Sequence, residues 1–211
     1  MKTKIIILFA VIISYSCKET SQDLISFNVS QPEGKNKLNE FPSRLFGIYK
    51  NYDTQEEITI CKNIIFSVKF IKVTIPKSLK DSLKNEKLFN TYFKITKLES
   101  IKNDSLLVTY KIIDTIFELK KDVLKKFKGH YFLNYQQNSM KWNVKKLSYN
   151  KNVININAIE TINEIKTMED IMGLNSNDTL HSLIVKPTKR QFKEFINKSG
   201  FHNGSSYLKI K

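Results

Sequence analysis

The chain has 211 residues, 35 Lys plus Arg against 20 Asp plus Glu, and a formal net charge of +15 at neutral pH. That balance favours anionic partners such as phospholipid headgroups, acidic glycans or nucleic acid. Six glycines and no Gly-x-x-x-x-Gly-Lys run leave no phosphate-cradling loop, and two cysteines make no disulfide scaffold, so nucleotide-driven enzymes and disulfide-stapled domains are both disfavoured.

The first element is a secretory signal over residues 1–16. Lys2 and Lys4 give a basic start, Ile5 to Ile13 form an apolar run, and Ser14-Tyr15-Ser16 bring small residues to the cleavage point. A spanning helix needs about 20 apolar residues, roughly twice this run, so the mature chain is expected to have no transmembrane helix. The residue after the small pair is Cys17, and the stretch resembles a lipobox, in which diacylglycerol is attached to the cysteine sulfur. Cys17 is therefore the expected lipid attachment site, with a membrane as first partner. Its acylation leaves Cys61 alone at the end of Glu57-Ile58-Thr59-Ile60-Cys61, an alternating strand whose thiol is expected to be buried and inert.

Residues 17–40 read as a polar, turn-prone tether, through Lys18-Glu19-Thr20-Ser21 and Gln31-Pro32-Glu33-Gly34. A β-rich globular domain is expected over 41–211. Its early elements are strands at Ile64–Ile75, Lys94–Leu98, Ser105–Ile113 and Ile116–Leu119, separated by Asn103-Asp104 and Asp114-Thr115 as in an antiparallel meander. A helix over Pro76–Asn90, carrying Leu79 and Leu83, is the alternative element between them. Gly47-Ile48-Tyr49 with Asn51-Tyr52 is echoed by Gly129-His130-Tyr131 with Asn134-Tyr135, which suggests a duplicated β-unit with halves 41–125 and 126–211.

The last third changes period. From Glu160 to Met172, Ile162, Ile165, Met168 or Glu169, and Met172 recur near helical spacing and stop at Gly173. Leu180–Lys186 reads as extended. Thr188 and Gln191 have capping-box spacing ahead of Phe192, Phe195 and Ile196, with Gly200 as the expected helix stop and Tyr207–Ile210 as a closing strand. The fold class is thus α+β, mostly antiparallel β with two C-terminal helices.

Candidate chemistry is sparse. His130, His181 and His202 lack metal-ligand spacing, and no cofactor is expected. No Gly-x-Ser-x-Gly occurs, and Ser199 reads as helix-terminal structure. Glu56-Glu57 and Glu169-Asp170 are adjacent acids that point apart. Tyr131, Phe132, Tyr135 and Trp142 suit core packing or the lining of a ligand site. The one dense charge cluster is Lys120, Lys121, Lys125, Lys126 and Lys128, which reads either as a solvated face or as a surface for an anionic partner.

The lipobox-like stretch, the Lys/Asn/Ile-rich body, Gly129–Asn134, Trp142–Leu147 and Gln191–Ile196 together resemble small lipoproteins of Bacteroidetes-type, flavobacterial bacteria. The resemblance carries no activity with it. It implies a bacterial envelope protein, in the outer membrane more than the inner, and Lys18-Glu19 matches in part the signal that sends such lipoproteins to the cell surface. The expected function is a non-enzymatic binding or structural module for an envelope protein or anionic glycan, with nucleic acid disfavoured by export. A lipid-tethered immunity protein and an envelope-polymer hydrolase are the rival readings.

Overall fold

Thirteen strands and two α-helices follow one another along the described residues, which in this computed structural model are 25–80, 93–101, 104–138, 140–174 and 183–211. The strands are β1 (Ile25–Phe27), β2 (Lys37–Leu38), β3 (Gly47–Lys50), β4 (Glu57–Ile60), β5 (Ile64–Pro76), β6 (Phe93–Ile101), β7 (Ser105–Glu118), β8 (Val123–Phe127), β9 (His130–Asn138), β10 (Lys141–Asn150) and β11 (Val153–Ala158). Helix α1 (Ile162–Met172), β12 (Leu183–Val185), α2 (Lys189–Asn197) and β13 (Asn203–Lys209) complete the chain. The sheet runs in the order β2-β8-β9-β10-β11-β13-β3-β4-β5-β7-β6, antiparallel at each step. Off this path, β1 meets the start of β10 at Phe27 and Trp142 and lies parallel to β12. The α+β, β-dominated class with C-terminal helices is the one expected from the sequence.

The path stays open at β2 and β6 yet curls, because its inner face must bury one large apolar cluster. Tyr49, Ile58, Ile65, Phe117, Leu124, Tyr131, Leu133, Leu147, Ile154 and Tyr207 come from nine different strands and meet inside that curl. Phe117 stands edge-on to Phe41 at 5.7 Å and to Tyr135 at 5.4 Å, which joins one arm of the sheet to the other. A second core lies on the outer side of β9 and β10, where α1 and α2 cover Phe27, Phe132, Val144, Phe192, Phe195 and Phe201. The ring centroids of Phe132 and Phe192 are 5.1 Å apart and those of Phe195 and Phe201 5.6 Å apart. Burying each ring contributes about 1.5–3 kcal/mol. Strand β9 is thus covered on both faces, and its run Tyr131-Phe132-Leu133-Asn134 is buried without alternation.

Both helices start on capping boxes. Thr188 accepts from the Gln191 N–H while Gln191 accepts from Thr188, as the spacing predicts, and Thr161 with Glu164 does the same for α1. Gly173 ends α1 in the left-handed region at φ 67°. Beyond α2 the residues at positive φ are Ser199 and Phe201, each at 64°, while Gly200 donates to the Phe195 carbonyl at 2.9 Å and lies where any Cβ would strike the Phe195 ring. The glycine is needed for that contact, and the turn itself is made by Ser199.

Several expectations change. From Ile25 onward the stretch read as tether is folded: Phe27 and Gln31 are buried, and Asn134 donates to the Gln31 carbonyl at 2.9 Å while accepting from its N–H. Two apolar residues in β1, its pairing with β12, the Asn134 amide and the Lys125 ammonium hold this polar segment. Asp114-Thr115 does not break the chain, because β7 runs straight through them with a bulge against β5 between Ile65 and Phe66. Ile162 is 55 % exposed, since the first turn of α1 buries Glu164 instead. Lys77–Leu79 form a single 3-10 turn, and residues 81–90 of the predicted helix lie outside the described residues. The repeated Gly-x-Tyr motif begins at the start of β3 and just before β9, each copy with a glycine at positive φ and a buried tyrosine two residues on. Past that point the copies differ: Tyr52 is 59 % exposed, whereas the Tyr135 hydroxyl is buried.

Candidate anionic-partner surface

Strand alternation divides the five clustered lysines. Lys120 and Lys121 stand in the turn before β8, where Lys121 lies 3.7 Å from Glu118. Lys125 turns to the outer face and is buried, its ammonium donating to the carbonyls of Ser30 at 2.7 Å and Pro32 at 3.1 Å. Burial lowers its pKa, with Glu33 opposing the shift. Lys125 therefore fixes the segment after β1 and is not free to meet a partner. Lys126 points to the other face, with Nζ 5.9 Å from the Tyr131 ring centre. Lys128 is exposed in the tight β8–β9 turn, at φ 51° beside Gly129 at φ 82°.

The structure adds cations that no local pattern marks. Arg44, in the 3-10 turn before β3, donates to the Tyr131 hydroxyl at 2.7 Å and lies 5.7 Å from the same ring that Lys126 approaches. Lys35 lies 5.8 Å from the Phe127 ring at the same end of β8. Lys35, Arg44, Lys126 and Lys128 therefore surround the β8–β9 hairpin. Among the described residues, no carboxylate pairs with any of them. Two cations drawn to one buried tyrosine are held by its ring and hydroxyl, with their outward sides still solvated. An anion placed between them would meet a guanidinium fork and an ammonium without having to break an existing ion pair.

Other groups are occupied structurally. His130 Nδ1 lies 2.9 Å from the Ser148 hydroxyl across the β9–β10 ladder, and burial, then Lys146, lowers the imidazole pKa so that the ring stays neutral near pH 7. Lys146 donates to the Gly200 carbonyl at 3.2 Å. At the inner side of the curl, Tyr207 donates to Glu56 at 2.9 Å and Glu56 pairs with Lys69 at 3.0 Å. Glu56 thus sits in a network while Glu57 faces away, and likewise Glu169 is buried beside an exposed Asp170. Tyr131 and Tyr135 belong to the first core, Phe132 and Trp142 to the second, so the aromatic run does not line one site. Cys61 is half-buried in the β4–β5 turn, where its N–H bonds Ile64, because the strand ends one residue earlier than its alternation implies. Among the described residues no three His, Cys, Asp or Glu gather closely enough to hold a metal ion. Cys17 and His181 lie outside the described residues. No protein-family model matches the chain, and neither the curated proteins nor the solved structures contain a significant match.

Proposed function

We propose that this chain is a bacterial envelope lipoprotein, tethered through lipid on Cys17 and most at home in the outer membrane, whose β-rich domain binds an anionic envelope protein or glycan without turning it over. The binding surface is Lys35, Arg44, Lys126 and Lys128. The observation that carries the reading is the convergence of Arg44 and Lys126 on Tyr131 with no carboxylate partner among the described residues. Most other charged groups near the cores are engaged: Lys125, Lys146, Glu56 and Glu164 each bond to the protein itself. The apolar run at Ile5–Ile13 and the cysteine at 17 support the anchor, and no described helix is long and apolar enough to cross a membrane.

The test is capture of cross-linked partners from envelopes. Arg44→Gln with Lys126→Gln should weaken capture, and raised salt should weaken it further. Lys120→Gln with Lys121→Gln should leave it close to wild type. Equal loss from both pairs would reduce the effect to net charge and reject the surface. The His130–Ser148 contact favours a hydrolase as the second reading, since a neutral imidazole beside a hydroxyl is the start of an acyl-transfer pair. Hydrolysis of envelope polymers that disappears with Ser148→Ala, with the fold intact, would establish that reading instead.

A further inference from the structure

The paired strands β5, β7 and β6 form an arm whose two faces differ. Directly opposed residues share a face. On the inner face Val73, Ile75, Leu106, Val108, Tyr110 and Ile95 gather with Leu79 into a third apolar cluster. The outer face carries two ladder rows of cations: Phe70 opposes Lys111, which opposes Lys94, and Lys72 opposes Thr109, which opposes Lys97. Phe70 is 55 % exposed in the first row, and Ile101 is 39 % exposed near the far end. Three described acids share this face, of which Glu118 opposes Ile64 at the far end of β7. Glu99 pairs with Lys97 at 2.8 Å, and Glu57 stands level with Val68. Lys72, Lys94 and Lys111 remain, with no described carboxylate paired to them.

We propose that this outer face docks on an anionic phospholipid bilayer, with Phe70 entering the interfacial layer and Lys72, Lys94 and Lys111 meeting headgroup phosphates. The face is a pleated ladder in which cations on long stems surround one protruding aromatic ring. That arrangement suits a deformable, uniformly anionic plane, into which an aromatic inserts while lysines reach to the charge. It is separate from the Arg44 surface but rests on the same anchor for its proximity. Ile25 is folded eight residues after Cys17, so the lipid and the domain can be no more than about 30 Å apart along the chain. Docking is then an intramolecular event at high effective concentration.

The test uses the full-length lipidated chain in vesicles of phosphatidylcholine alone or mixed with phosphatidylglycerol, some carrying brominated acyl chains. In a Phe70→Trp variant, quenching beyond that of the native Trp142 is expected in the mixed vesicles and not in phosphatidylcholine. Lys72→Gln, Lys94→Gln and Lys111→Gln together should lower the contact equilibrium on the order of 100-fold, at about fivefold per lysine near an anionic surface. A chain that floats with both vesicles yet shows no added quenching overturns the docking and leaves the anchor standing. So does quenching that is equal in phosphatidylcholine or unmoved by the triple change. Protection of the new Trp only when envelope proteins are added would assign the face to a protein instead. A chain that floats with neither vesicle rejects anchor and docking together.

Discussion

Replacing Glu164 by Ala removes the acceptor of four hydrogen bonds at the junction of α1 with β13. Its Oε2 accepts from the Glu160 N–H at 3.1 Å, the Thr161 N–H at 3.2 Å and the Thr161 hydroxyl at 2.9 Å. Its Oε1 accepts from the His202 N–H at 2.8 Å. Glu160 and His202 are exposed, so their N–H groups can turn to water, whereas Thr161 is half-buried beside a Glu164 that is 7 % exposed. A sheltered donor left without a partner costs about 1–3 kcal/mol, so the Thr161 N–H with the lost cap totals roughly 3 kcal/mol. For a domain of this size, that lowers Tm by about 6–12 °C. The assay is urea denaturation and a thermal scan by circular dichroism, on the chain begun at Lys18. A loss below about 1 kcal/mol, no larger than that of an exposed cap, would show that Glu164 does not tie the helix to the sheet.

Thr188→Ala should cost about 1 kcal/mol in the same assay, because its capping box is exposed; no change in midpoint would misplace the start of α2. Lys125→Gln should destabilise the domain by about 1–3 kcal/mol by leaving two carbonyls short of a donor, while partner capture by the folded fraction is unchanged. Burial raises the pKa of Tyr49 and Tyr207 to about 12, with Tyr149 and then Glu56 adding to it respectively, and raises Tyr135 further, helped by Asp122 and Tyr207. A raised folded pKa means the stability tied to these phenols is complete below pH 10 and is lost as pH climbs through 12. An absorbance titration should find these three ionising only as the circular dichroism collapses. Free ionisation near pH 10 with the fold intact would contradict their burial.

Local signals gave the parts of the fold that depend on neighbours in sequence. Thr188 and Gln191, the Phe192–Phe195 stripe and Gly173 act as their spacing implies. The Thr161-x-x-Glu164 box is equally legible, and of the apolar pattern only Ile162 stays exposed, while Ile165, Met168 and Met172 pack in the second core. The rest depended on contacts made far along the chain. Arg44 reaches Tyr131 across 87 residues, and Asn134 clamps Gln31 across 103. A run of lysines also looks alike whether its members point one way or both, and only the β8 ladder shows Lys125 buried on the outer face beside Lys126 on the opposite face with Tyr131. The polar composition of 17–40 concealed Ile25 and Phe27, whose burial depends on β10, β12 and α2.

Both surfaces act at a membrane only if lipid on Cys17 holds the domain there. The direct measurement is incorporation of labelled fatty acid followed by cell fractionation, comparing the wild type with Cys17→Ser. The wild type should carry label and sediment with membranes, because two or more acyl chains hold a protein stably where one binds only reversibly. Cys17→Ser should carry none and lose that stable sedimentation. An unlabelled wild type, with a Cys17→Ser variant that still sediments with membranes, would contradict the tethered account.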